Sequence, residues 1–242
     1  MFRGHVAALH RWPVKSLRGE EVTAARFAGG GMVGDRAHVL VDRGGKRAGS
    51  VLTVRQNPGM LRWAASYGDV ADPVDAPALR DPDGAEWKWD DPRLPAALGE
   101  SLDIPLDLRS EHGNQDRGPT VLLTLRSTLE ALTAELGAEV DLLRFRPNAH
   151  LDLDAPPFAE LDWGPGTTIT AGEVTFEITG PRTGPCVRCA VPSWDAGGQR
   201  RWKELQTHLI ERHDNRFGAI ARVTRDGTAR RGDRAAVVRP AS

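Results

Sequence analysis

The chain has 242 residues, of which 40% are hydrophobic and 27% are charged, a composition typical of a globular protein with one large domain or two small ones. Its 32 basic and 33 acidic residues give a formal net charge of −1, so no general excess of positive charge indicates a nucleic-acid or acidic-membrane partner. Two cysteines are too few for a disulfide scaffold, and no apolar run approaches the roughly 18 residues of a transmembrane helix. We therefore expect a cytoplasmic protein with reduced thiols, without a membrane or nucleic-acid partner.

Segments of strand length follow one another along the chain, and several alternate apolar with polar residues, which is the period of a half-buried strand. These segments are VAALHRW (6–12), HVLVD (38–42), EWKWD (86–90), TVLLTL (120–125), HLDLD (150–154) and VTFEITG (174–180). Near the C-terminus, Asp226-Gly227 separates two further apolar segments and predicts a β-hairpin.

Two segments predict helices. In STLEALTAELG (127–137), Ser127 and Glu130 have the spacing of a capping box, and Gly137 predicts the C-terminal end. In RWKELQTHLIERH (201–213), an apolar stripe follows one helix face: Trp202, Leu205, Leu209 and Ile210. The chain is therefore expected to be mainly β with a few helices, a pattern typical of barrels or sandwiches.

Residues 69–119 are rich in Pro, Asp and Gly and have the fewest predicted elements. Within them, GNQDRGP (113–119) is typical of a linker. We place a domain boundary near residue 116, which divides the chain into 1–116 and 117–242.

Both cysteines lie in GPRTGPCVRCAVPSWD (180–195), and their spacing is compatible with several kinds of site. A structural zinc site needs four ligands, but the sequence has no second CxxC, and His208 and His213 are five residues apart rather than the four that align two ligands on a helix face. A thioredoxin-like dithiol precedes a helix, and Ala-Val-Pro (190–192) is a poor helix start. A buried structural cysteine is the alternative for one of the two.

The remaining interpretation is that one thiolate is a soft metal ligand. Arg182 and Arg188 would favour the ionised thiol, and a thiolate suits a soft or high-valent metal better than magnesium or calcium. Because the chain has too few other soft ligands to hold a bare metal, we expect the metal to arrive within a cofactor.

Two basic segments carry groups suited to an anion. In WPVKSLRGEEV (12–22), Lys15 and Ser16 follow a predicted strand and form a plausible phosphate site, with a solvated loop as the alternative. In LLRFRPNAHLDL (142–153), Arg144 and Arg146 are expected on one face of an extended segment, followed by the amide of Asn148. Exposed strand arginines are the alternative there.

In this order, the segments resemble the MOSC family, the molybdenum-cofactor sulfurase C-terminal domain. Three segments resemble the N-terminal β-barrel domain that precedes MOSC in many members: WPVKSLRGEEV, GDRAHVLVDRGGK (34–46) and VRQNP (54–58). Four further segments resemble the MOSC domain itself: RFRPN (144–148), PFAELDW (157–163), GPCVRCAVPSWD (184–195) and RRGDRAAVV (230–238). The resemblance covers nearly the whole chain and implies an N-terminal MOSC-type β-barrel domain packed on a C-terminal MOSC β-barrel domain.

The resemblance also implies a binding site for the molybdenum–molybdopterin cofactor. Cys189 matches the cysteine whose thiolate ligates molybdenum in the family, and Cys186 matches a supporting neighbour. The implied cofactor-binding residues are Lys15, Ser16, Arg36, Thr124, Ser127, Arg146, Asn148, Arg188 and Cys186. A departure from the family pattern is VPSWDAGG (191–198), in which Trp194 is expected to alter the substrate entrance.

The implied activity is that of the amidoxime-reducing components, oxidoreductases that reduce N-hydroxylated or N-oxide substrates by oxo transfer at a cysteine-ligated molybdenum. The sequence has no ferredoxin-like cysteine cluster and no nucleotide-binding motif, so the electrons are expected from an external donor, a flavin reductase with a ferredoxin or haem-protein carrier. Two alternatives stay open: a cofactor carrier or sulfur-transfer module without redox turnover, and a relic that binds no cofactor.

Overall fold

The computed structural model describes residues 1–29, 31–111, 118–187, 189, 191–195 and 197–240. Within them the α-helices are α1 (Leu94–Leu102), α2 (Arg126–Leu136) and α3 (Lys203–His213). The strands in the same residues are β1 (Phe2–Arg11), β2 (Glu20–Val22), β3 (Ala24–Ala28), β4 (Gly31–Met32), β5 (His38–Asp42), β6 (Ala64–Ser66), β7 (Ala78–Arg80), β8 (Glu86–Lys88), β9 (Leu106–Ser110), β10 (Val121–Leu125), β11 (Ala149–Leu153), β12 (Thr168–Ala171), β13 (Val174–Glu177), β14 (Gly184–Val187), β15 (Arg216–Arg225), β16 (Gly227–Arg230) and β17 (Arg234–Val238). The prediction of a mainly β protein with a few helices is confirmed. No helix in these ranges has both the length and the apolar character needed to cross a bilayer.

Seven strands form a closed barrel in the order β10-β11-β1-β17-β12-β13-β15, because β15 pairs back onto β10. The β10–β11 pair is parallel and the other neighbours are antiparallel. Gly4 faces both Leu153 and Ala235 across β1, and a Cβ there would lie 1.8 Å from the Asp152 carbonyl oxygen. Only glycine therefore fits at this position of the barrel wall.

The barrel is filled by large apolar side chains. Trp163 and Phe176 are fully buried, and Phe176 packs edge-to-face on Phe27 with ring centroids 5.2 Å apart. A second apolar core lies between β5–β9, the sheet β6–β7–β8 and α1, where Met60, Trp63 and Leu98 are buried. A third apolar cluster packs α2 and α3 around Phe145 and Phe217.

The six segments predicted as strands all contain strands, but local patterns did not identify their partners. The hairpin predicted at Asp226-Gly227 is wrong, because β16 pairs with β3, and β17 pairs with β1 and β12. The buried Ala229 of β16 lies opposite Ala25 of β3, so the apolar face of this strand is covered by a distant element instead of by its neighbour.

The predicted helix ends are half right. Gly137 ends α2 in the left-handed conformation (φ 62°), as expected. The capping box at Ser127 is wrong: α2 begins at Arg126, and Leu125 occupies the N-cap position without a side-chain hydrogen bond. In α3, Leu205 and Leu209 are buried as predicted.

The region with the fewest predicted elements, 69–119, contains β7, β8, α1 and β9. Helix α1 escaped prediction because Pro95 and Gly99 make it resemble a loop, whereas Leu94, Leu98 and Leu102 bury one of its faces. The boundary placed near residue 116 lies outside the described residues.

Candidate functional site

A cavity of about 380 Å³ lies where the turn after β1 and residues 53–56 face the barrel strands β10, β14 and β15. Seven of the residues that the sequence singled out line it: Lys15, Ser16, Arg36, Arg146, Asn148, Cys186 and Cys189. Segments far apart in the sequence thus converge on one site.

The two thiols have different surroundings. Cys186 lies on β14, is 1% exposed and packs with Leu122 and Ile220 in a small apolar cluster. Cys189 is half-buried and lines the same cavity. Arg188, which the sequence placed among the cofactor-binding residues, lies outside the described residues. The geometry therefore gives one accessible thiol and one packed thiol.

The charged side chains that line the cavity are positive. Lys15, Arg36, Arg55 and Arg146 all line it, and its described lining contains no carboxylate. Arg36 forms an ion pair with Asp35, whose other oxygen accepts a hydrogen bond from the Trp12 backbone at 3.0 Å. A lining with four cations and no carboxylate among its described residues is suitable for a ligand with a negatively charged group.

Three cavity residues have a strained backbone. Ser16, Arg36 and Arg146 have φ values of 73°, 51° and 56°, in the left-handed region that non-glycine residues rarely occupy. Each such residue costs on the order of 1–2 kcal/mol and persists where neighbours hold it. Here Arg36 donates from its backbone to the Trp12 carbonyl at 2.7 Å and from its guanidinium to the Arg146 carbonyl at 3.2 Å. Strain concentrated in this way is typical of a binding site.

Trp12 fixes the orientation of the second arginine of RFRPN. Its indole N–H donates to the Pro147 carbonyl at 2.9 Å, and the Arg146 guanidinium lies 4.1 Å from the centre of its ring system. This cation–π contact holds the Arg146 guanidinium against the cavity wall.

The neighbouring side chains of RFRPN bind backbone instead. The expected extended segment is wrong, because residues Leu142–Phe145 form a 3₁₀ helix that ends at Arg146. Arg144 donates to the carbonyls of Pro192 and Trp194 at 3.1 and 2.7 Å. The Asn148 carboxamide accepts from the Leu122 backbone at 3.0 Å, so much of its hydrogen-bonding capacity joins two strands.

Arg144→Ala is expected to destabilise the protein by about 2 kcal/mol, because two carbonyls lose a charged donor. The loop 191–195 that follows Cys189 should exchange its amide hydrogens faster in this variant. Urea unfolding and hydrogen exchange measure the two effects. Arg225→Ala, which removes an exposed arginine on β15, is the control. Unchanged exchange in the loop would contradict the role of Arg144 as its anchor.

Two predicted residues are not brought to the cavity. Thr124 is fully buried, and its hydroxyl lies 2.9 Å from Nδ1 of His150. Ser127 is on the first turn of α2, and its hydroxyl is buried without a hydrogen-bond partner among the described residues. Neither side chain is part of the described lining.

Sequence reasoning also missed lining residues. Thr53, Arg55, Gln56 and Thr120 line the cavity without having been singled out. Arg55 and Gln56 lie within VRQNP, which was noted only as a family-like turn. The cationic side chain of Arg55 next to the amide of Gln56 was the signal that could have identified this segment as part of a binding site.

A larger cavity of about 770 Å³ adjoins the first and shares Arg146 and Val191 with it. Aromatic groups of Trp12, Tyr67 and Trp194 contribute to its wall. Burial raises the pKa of Tyr67 above its usual range, so the phenol stays neutral at physiological pH. The wall thus combines aromatic and aliphatic groups with charged side chains of both signs, and Arg146 lies at the boundary between the two cavities.

Comparison with known proteins gives the family. Residues 3–87 match the model of the MOSC N-terminal beta barrel domain, and residues 109–236 match the model of the MOSC domain. Among solved structures, the chain is similar to the YuaD protein from Bacillus subtilis, at 12% identity over 98% of both chains with a TM-score of 0.47. It is also similar to YiiM from Geobacillus stearothermophilus, at 16% identity over 49% of this chain and 53% of that one, with a TM-score of 0.37.

A search of the curated proteins finds no significant match. The two matched models follow each other in the order that the sequence resemblance implied, which confirms the expected succession of barrel domains. Together they cover most of the cavity-lining residues. The chain therefore belongs to the MOSC domain family, which is associated with molybdenum-cofactor binding or sulfurase-like roles.

Proposed function

We propose that this chain binds the molybdenum–molybdopterin cofactor and is an oxidoreductase that reduces N-hydroxylated or N-oxide compounds. The observation that carries the proposal is the cavity of about 380 Å³, which combines an accessible thiol with four cationic side chains. A cofactor that brings its own sulfur ligands and a phosphate needs that combination, since the protein must add only one soft ligand and neutralise a negative charge.

Each lining group has a distinct role in the proposal. Cys189 would ligate the metal, while the packed side chain of Cys186 would support β14, the strand that leads to Cys189. Lys15, Arg36 and Arg55 would hold the phosphate, with the Ser16 hydroxyl as an additional donor. These three cations come from the segment that matches the N-terminal barrel, whereas Arg146 and both thiols come from the segment that matches MOSC.

When bound, the cofactor would supply the two-electron oxo-transfer chemistry, while the protein orients it and excludes competing reactions. Arg146, held against Trp12, lies between the two cavities and would orient the polar N–O group of a substrate. The electrons would come from an external donor, a flavin reductase with a ferredoxin or haem-protein carrier, because two cysteines are too few for an iron–sulfur cluster.

The larger cavity supports a substrate with an apolar body. Its volume of about 770 Å³ is in the range of small-molecule sites, and its wall includes Trp12, Tyr67 and Trp194. An aromatic or aliphatic hydroxylamine would place its carbon skeleton against these rings and its N–O group near Arg146.

The proposal is tested with protein purified from a host that makes the cofactor. We expect one molybdenum and one pterin per chain, and reduction of an aromatic hydroxylamine with a chemically reduced viologen as electron donor. Protein that contains one cofactor per chain but does not reduce the hydroxylamine would be a carrier or sulfur-transfer module instead of an enzyme. Protein with neither metal nor pterin would contradict cofactor binding altogether.

A further inference from the structure

A second cluster of ligand-type side chains lies between two helices, α2 and α3. Glu135 is in the last turn of α2, and His208 and His213 belong to α3. Nε2 of each histidine lies 2.7 Å from Oε2 of Glu135, and the three ligand atoms are within 4.8 Å of one another. None of the three residues lines the cofactor cavity.

The spacing of the two histidines explains why the sequence did not predict this cluster. Five residues turn a helix by about 140° beyond one full turn, so the two side chains do not share a helix face. They converge because the Glu135 carboxylate lies between them, with Oε2 at 2.7 Å from Nε2 of each imidazole. The third ligand comes from another helix, which spacing along α3 alone does not reveal.

The imidazole of His213 is held in place by its surroundings. It stacks on Phe158 with ring centroids 3.9 Å apart and an angle of 18°. The backbone N–H of Phe158 in turn donates to the Thr128 hydroxyl at 2.8 Å. A ligand fixed in this way loses little conformational entropy when an ion binds.

We propose that Glu135, His208 and His213 form a zinc site that joins the last turn of α2 to the C-terminal half of α3. Two imidazole nitrogens and one carboxylate oxygen are a known donor set of zinc, and magnesium or calcium would require oxygen ligands instead. Tetrahedral zinc places its ligand atoms about 3.3 Å apart, so each imidazole nitrogen needs to move only about 0.6 Å away from the Glu135 oxygen, which now lies at 2.7 Å.

Accessibility agrees with an exchangeable ion. The side chains of His208 and His213 are 19% and 11% exposed, and that of Glu135 is 35% exposed. The ion would therefore be reached from solvent, and a water molecule would take the fourth position. The site is independent of the molybdenum cofactor, and its presence or absence leaves the proposed function untouched.

The test is titration of the chelator-treated, untagged full-length protein with Zn²⁺ by calorimetry. We expect one Zn²⁺ per chain and a higher melting temperature with zinc. Replacing a ligand, in His208→Ala, His213→Ala or Glu135→Gln, should weaken binding about tenfold or more. The matched control is His5→Ala, which removes an exposed histidine 3.9 Å from a carboxylate and should leave binding unchanged.

Co²⁺ serves as a second probe because it separates this site from the two thiols. At the proposed site it should give the visible spectrum of tetrahedral cobalt without sulfur-to-metal charge transfer. Glu135→Gln keeps the shape of the side chain and so covers the case in which a histidine variant fails to fold. Binding that survives all three ligand substitutions, a sulfur-type spectrum, or no binding of either ion would each overturn the proposal.

Discussion

Replacing Cys189 by alanine is expected to lower the molybdenum content of the purified protein at least tenfold, while Cys186→Ala retains the metal. The two thiols line the same cavity, but only Cys189 is half-buried, whereas Cys186 is 1% exposed and packed against Leu122 and Ile220. A thiolate that ligates a cofactor metal must reach that metal, and loss of a ligating side chain removes most of the affinity.

Cys186→Ala should act on the fold instead, because it truncates a packed side chain and is expected to cost about 1 kcal/mol of unfolding free energy. Metal analysis and urea unfolding of both variants give a crossed pattern: one loses metal with little change in stability, and the other loses stability while keeping metal. Equal loss of molybdenum from both variants would contradict the assignment of Cys189 as the ligand.

The second large effect concerns Glu160, a carboxyl group enclosed within the fold. Glu160 is 0% exposed, and its Oε2 accepts a hydrogen bond from the Thr128 hydroxyl at 2.8 Å. Burial raises the pKa of Glu160 to about 7, from a usual value of 4.5. Between these pH values the folded protein retains a proton that the unfolded chain has released.

Stability attributable to Glu160 must therefore fall as the pH rises from about 4.5 to about 7, by about 3 kcal/mol in total. Histidines act in the opposite direction: burial lowers the pKa of His38 and of His150 to about 4, so each adds stability as the pH rises from about 4 to 6.5. The pH profile of the wild type alone thus mixes both effects.

Glu160→Gln isolates the carboxyl contribution. We expect the unfolding free energy of this variant, relative to the wild type, to increase by about 3 kcal/mol between pH 4.5 and 7.5. Urea unfolding at a series of pH values measures the difference, with Glu130→Gln on the exposed face of α2 as control. A difference that stays constant across this range would show that Glu160 is ionised in the folded protein.

Local patterns predicted elements well but pairings poorly. HVLVD (38–42) coincides with β5, because a short apolar run with β-branched residues is a property of the segment itself. The hairpin at Asp226-Gly227 failed because pairing depends on which distant strand covers an apolar face. The zinc interpretation of the cysteine motif was set aside for lack of a second CxxC and because His208 and His213 are five residues apart. Spacing along one helix could not show that Glu135 of another helix lies between them.

The cavity residues were found for a different reason than the strands. Lys15, Arg36 and Arg146 were recognised from motifs, and the structure brings them to one cavity with the cysteines. Thr124 was matched where the motif is weakest, and its hydroxyl lies against His150 instead. Arg144 was assigned with Arg146 to one face of an extended segment, but Leu142–Phe145 form a 3₁₀ helix and Arg144 binds two backbone carbonyls.

The position of β1 in the barrel has a consequence for how the protein folds. Its residues pair with three strands, and Phe2 lies opposite Val237. During synthesis, β1 must therefore wait with an unpaired edge until β17 has emerged from the ribosome. Such long-range contacts make closure slow and leave the edge available to incorrect partners. The cavity contains groups from Lys15 to Ile220, so it is complete only when the barrel is nearly closed, and cofactor insertion is expected to follow synthesis of the barrel.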